Sequence, residues 1–252
     1  MNASESSSTV SLPRVAPRLS AAFQGVVRLA WAQQFTTRSM VSVALMIGVV
    51  GLMGFLTKDR GIINWIEQVI LMTIVPILAF EAGAKAVRED LKPGAVDYLI
   101  TRPVPRWAYV VFKYVAQWSI TLIHTLLTLG VMIGVAQGVG AEVSGVGSWL
   151  VGLVGGVSAF MALGFLMGAV TSRYLILGLL YAGLIEGAVG NIPIQINKLS
   201  ILRHLREVIW GLGETSLGVS AGWLALIAMV LVAGAAALFS TKEFIGEKGG
   251  ES

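Results

Sequence analysis

The chain has no cysteine among its 252 residues. Disulfides, thiol nucleophiles and thiolate metal sites are therefore excluded, while the compartment stays open. Histidine is almost as scarce: His124 and His204 are the whole supply. They belong to different parts of the chain, so no metal site is expected. Charged residues make up only 13%. No G-x-x-x-x-G-K-[ST] run occurs, so the chain carries no phosphate-cradling loop of that type. No Ser/His or paired-Asp arrangement stands out in the apolar stretches, and no catalytic residue is assigned. The Ser-rich start holds no apolar run, so no secretory signal is expected there. Residues 1–20 read as a disordered polar tail.

Apolar residues dominate what is present. They make up 56% of the chain, with a mean hydropathy of +0.80. They fall in long runs, and a bilayer core takes about 20 such residues per helix. Six stretches qualify: 40–56, 65–84, 114–136, 149–170, 175–192 and 219–239. The expected fold is thus an all-α integral membrane protein with six transmembrane helices, a membrane domain over 39–240 and a short tail over 241–252. With the N-terminus inside, most of the 18 Lys and Arg collect on one side. Only Lys58, Arg60, Lys198, Arg203 and Arg206 fall on the other. That bias puts both termini in the cytoplasm. The net charge of +4 then reflects sidedness, and nucleic acid is not an expected partner.

Two amphipathic segments flank the spans. In 21–38, Phe23, Val26, Val27, Ala30 and Trp31 recur at helical spacing, with Gln24, Arg28 and Gln34 elsewhere on the wheel. This predicts an interfacial helix with Trp31 at headgroup depth. In the region 193–218, Leu202, Leu205, Ile209 and Leu212 form a stripe, with Arg203, Arg206 and Glu207 off it. A helix near 200–210 on the outer side is expected.

Charge concentrates in the loop 85–113, between the second and third spans. Leu91, Ala95 and Leu99 follow i, i+4, i+8, flanked by Val96 and Ile100. Asp90, Asp97 and Thr101 fall opposite. Pro93 suits a first helical turn, which Asp90 is placed to cap. Pro103 disfavours helix at Arg102, and Pro105 adds a second stop. A short cytoplasmic helix over 93–101 is expected, with one apolar and one polar face.

Glu89, Gly94, Leu99, Pro103, Arg106 and Lys113 together resemble the signature of ABC-2 type permeases, the transmembrane subunits of ATP-binding-cassette exporters. The pattern departs from the family at Pro105, where serine is usual, and at Phe112, where glycine is usual. The resemblance implies that the loop helix is a coupling helix. Glu89, Asp90, Pro93, Gly94, Asp97, Leu99, Ile100, Arg102, Pro103 and Arg106 would then meet an ATP-binding subunit. It further implies two copies of that subunit, a second permease copy (identical or related), ATP and magnesium held by the partner chain, no cofactor held by this one, and a bacterial inner-membrane location. The helix between spans five and six would cap the cavity from outside.

Polar residues inside apolar spans are functional suspects. Gln117, Thr121, His124 and Thr128 share one face of the third span, as a translocation path, a dimer face or a set of interhelical hydrogen bonds. Glu81 is spaced to pair with Lys85 one turn on. Glu186, in the fifth span, is expected either to face water or to be protonated. Glycine pairs at Gly130/Gly134, Gly152/Gly156, Gly164/Gly168 and Gly183/Gly187 suit close helix packing, and Pro76 is expected to kink the second span. Two other functions fit the same residues. One is a mechanotransmitter that passes force to an extracytoplasmic partner, and the other is a proton- or ion-coupled carrier using Glu186 and His124.

Overall fold

The computed structural model describes residues 19–34, 37–57, 59–91, 104–188, 195–211 and 216–241, and these are helical with no strand among them. Helix α1 spans Leu19–Gln34 and α2 spans Thr37–Thr57. Helix α3 opens as Asp59–Asn64, widens to a π-helix over Trp65–Ile74, and returns to α-helix over Val75–Asp90. Then come α4 (Arg106–Gly138), α5 (Val146–Val170) and α6 (Tyr174–Tyr181), which runs on as a π-helix over Ala182–Ala188. Helix α7 (Ile201–Trp210) and helix α8 (Leu217–Thr241) complete the bundle.

Among the described residues, four helical stretches are long and apolar enough to cross a membrane: Gly61–Asp90, Arg106–Gly138, Val146–Val170 and Leu217–Thr241. They contain the second, third, fourth and sixth expected spans. Ile47–Thr57 and Tyr174–Gly187, at the first and fifth, are shorter apolar helices. The π-helical turns of α3 end just before Pro76, where the ring removes a donor and crowds the preceding turn. The distortion expected at that proline is therefore a widening of the turns ahead of it.

The centre of the bundle is α5 against α3. Their backbones touch where glycines face them. A Cβ at Gly164 would collide with the carbonyl oxygen of Phe80, and one at Gly168 would lie 2.7 Å from that of Ala84. A Cβ at Gly83 would strike the carbonyl of Met161 in the other direction. In lipid, where no hydrophobic effect draws helices together, such contact supplies the packing. Gly152 makes room for the side chains of Ile209 and Leu205 of α7 and Gly155 for that of Leu224 of α8, while Gly156 lies at ordinary contact distance from Leu205. The other two pairs behave differently. Gly130, Gly134 and Gly183 have no neighbour within 4 Å of an added Cβ, and Gly187 meets only the carbonyl of Ala182 one turn back.

Helix α1 packs on the start of α4. Ala30 buries against Ala116 and Ile120 with Val27 and Trp31 packed on them, and Phe23 meets Phe112 edge-on at 5.2 Å. Part of the apolar stripe of the expected interfacial helix thus packs on the protein, while Leu19 and Leu29 stay exposed. Residues 35–36 lie outside the described set, so the expected single helix over 21–38 is seen as α1 up to Gln34 and α2 from Thr37.

Candidate functional site

The bundle has a loop end, where α3 stops and α4 starts, and a far end, where α7 lies. Polar residues gather at both.

At the loop end, the last residue of α3 is Asp90, and its carboxylate is claimed from both sides. Lys113 Nζ donates to Oδ1 at 3.0 Å and Tyr109 Oη to Oδ2 at 2.8 Å. Lys113 is buried at 8% exposure, in an apolar chain where an unpaired ammonium would be costly. The two arms of the loop are therefore fastened at their base by one carboxylate. The role expected for Asp90, capping a loop helix, concerns backbone outside the described residues; among the described residues its side chain turns toward α4. Of the other expected loop residues, Glu89, just before the end of α3, is exposed and Arg106 opens α4, also exposed. Pro93, Gly94, Asp97, Leu99, Ile100, Arg102 and Pro103, with the helix expected over 93–101, lie outside the described residues. Glu81 pairs with Lys85 at 2.6 Å, as its spacing predicts.

Within the bundle, the α4 face expected to line a path is largely closed. Thr121 and Thr128 are buried, and Gln117 and His124 are half-buried. Thr128 Oγ1 donates to the His124 carbonyl at 2.9 Å, and Thr125 Oγ1 to that of Thr121 at 2.9 Å. These bonds run within one helix, not between helices, since a helical threonine reaches its own preceding turn. Polar links between spans do occur nearby: Tyr114 Oη donates to Ser158 O and Trp118 Nε1 to Ser158 Oγ, both at 2.9 Å.

At the far end, three carboxylates converge on α7. Glu186 is 4% exposed and accepts from the backbone N–H of Ile201 (2.9 Å) and Leu202 (3.1 Å), from Tyr181 Oη (2.6 Å) and from Ser200 Oγ. Ser200 in turn accepts from Arg203 N–H at 3.1 Å as the α7 N-cap. All four partners of Glu186 are donors. That set suits a carboxylate at a helix N-terminus, where orphan N–H groups and the helix dipole attract negative charge. Of the two expectations for Glu186, facing water is not what its burial shows. Glu207, on α7, accepts from Arg203 Nε (3.1 Å) and from Ser220 Oγ of α8 (2.6 Å). Beside it, His204 meets the Lys198 carbonyl at 2.9 Å and stacks on Trp223 with ring centroids 5.8 Å apart. The third carboxylate is Glu67 of α3, which accepts from Trp149 Nε1 (3.0 Å) on Oε1 and from Trp210 Nε1 (2.9 Å) on Oε2.

Glu67 and the two indoles escaped the sequence reading. An acidic residue inside an apolar stretch was the available signal.

Compared with known families, residues 19–185 match the one described as ABC-2 family transporter protein. The match runs from α1 to the residue before Glu186, and α7 and α8 lie beyond it. Comparison with curated proteins finds no match.

Proposed function

Since the chain belongs to the ABC-2 transporter family and is thus a multi-pass membrane transport component, not itself the ATPase, we propose that it is the permease of an ATP-driven exporter. Hydrolysis takes place in a separate ATP-binding subunit, two copies of which serve a pair of permease chains, with ATP and magnesium held there. That subunit docks on the 92–103 loop, with Leu99 and Ile100 on the docking face and Asp97, Arg102 and Arg106 around it. Helices α2 and α6 complete six spans with the others, both termini lie in the cytoplasm of a bacterial inner membrane, and α7 lies on the outer side.

The observation that carries this reading is the clasp. Asp90, Lys113 and Tyr109 hold the ends of two membrane-length helices together under the loop. Tying the two helix ends together lets a force applied there enter both helices. The carrier alternative loses its main residue, because Glu186 spends its acceptors on the start of α7.

Gentle solubilisation of the tagged protein from its native membrane, followed by identification of what accompanies it, tests the proposal. An ATP-binding-cassette subunit that is lost when Leu99 or Arg102 is changed supports it. A chain that comes out without any ATPase, in detergent and in nanodiscs alike, refutes it.

A further inference from the structure

We infer that α3 is a strut between the 92–103 loop and α7, and that Glu67 is the positioning residue through which it moves α7. The inference rests on the reading that the loop receives the ATP-binding subunit.

Three observations carry it. First, Gly61–Asp90 is helical throughout, at most about 45 Å long at 1.5 Å per residue, and its π-helical turns are held in the core by Ile66, Ile70 and Leu71. It reaches from the loop to the far end of the bundle. Second, each end carries a carboxylate that ties α3 to neighbouring helices through two donors. Asp90 takes Lys113 and Tyr109 of α4. Glu67 takes Trp149 of α5 on one oxygen and Trp210, the last residue of α7, on the other. Third, the middle of the strut lies backbone to backbone on α5 at Gly164 and Gly168. No long side chain stands between them to yield, so α3 and α5 shift together. Close-packed contacts of this kind do not deform continuously. A push on the loop therefore arrives at Glu67 and is handed to Trp210.

Glu67 suits this task in a way glutamine does not. An indole N–H only donates, and two of them meet the two oxygens of one carboxylate. In Glu67→Gln one oxygen is kept and an NH2 group faces the second indole, donor against donor. Trp210→Phe removes the same link from the other side and leaves Glu67 in place.

Hydrogen exchange of the full complex in nanodiscs, with and without a non-hydrolysable ATP analogue, tests this. Wild type is expected to change exchange in both 92–103 and 201–210 when nucleotide binds. Glu67→Gln and Trp210→Phe are expected to keep the response in 92–103 and lose it in 201–210. A response in 201–210 that survives both substitutions overturns the inference. So does a wild type in which the loop responds and α7 does not. Loss of both responses in the variants also overturns it, because Glu67 then holds the fold and not the junction. If neither segment responds in wild type, the docking reading itself falls, and the strut with it.

Discussion

Changing Asp90 to alanine leaves Lys113 and Tyr109 without their shared acceptor. The Lys113 side chain is 10% exposed and that of Asp90 16%, so water repays little of the loss. Removing one partner of a buried ion pair costs about 3–5 kcal/mol. The residual exposure of this pair sets the expected cost at about 3 kcal/mol, more than a hundredfold in the folding equilibrium. Lys113→Met leaves Asp90 with the Tyr109 hydroxyl and is expected to cost about 2 kcal/mol, the range for a lost hydrogen bond to a charge. The double variant removes both charges at once. It is expected to be at least ~1.5 kcal/mol more stable than the two single effects added together, as residues in direct contact do not add. Reversible unfolding of the four proteins in mixed micelles, titrated with denaturing detergent, gives the cycle. Single effects that add to within about 0.5 kcal/mol would refute the clasp, because independent sites behave in that way.

Three further outcomes follow from the same contacts. Glu186→Ala leaves the first N–H groups of α7 and two hydroxyls unmet, and is expected to lose about 2–4 kcal/mol, with 201–210 the first segment to exchange its amide protons. Stability equal to wild type would show that the cap is not formed. Gly164→Ala sets a methyl against the Phe80 carbonyl and is expected to cost about 1–3 kcal/mol by overpacking. Gly130→Ala meets open space and is expected to be neutral or to gain up to about 1 kcal/mol from helix propensity; equal losses at the two positions would contradict the packing described.

Much of the scaffold was legible because its causes are local. The stripe Leu202, Leu205, Ile209 gives α7 almost to the residue, and Ser200 and Gly211 mark its ends as N-cap and left-handed C-cap. The runs 114–136 and 149–170 lie inside α4 and α5, since apolar length alone marks a spanning helix. What the sequence could not reveal is which groups meet. Asp90 reads equally well as a cap for the loop or as a partner of Lys113, and only the approach of α3 to α4 decides. The same holds for Glu67, whose two indoles come from α5 and α7. Glu186 was legible as a suspect, but three of its four partners lie at the start of α7, across 189–194. Among the glycine pairs, spacing was identical for Gly130/Gly134 and Gly164/Gly168, yet one faces open space and the other a backbone. Spacing reports a small face and says nothing of what lies against it.

The central claim is that the 92–103 loop drives and is driven by a separate ATPase. Its most direct test is ATP hydrolysis by the reconstituted complex with Leu99→Asp, which puts a charge on the apolar docking face. The account predicts that the variant stays folded and that stimulation of ATPase activity by the permease is abolished. Stimulation that persists at the wild-type level would contradict it.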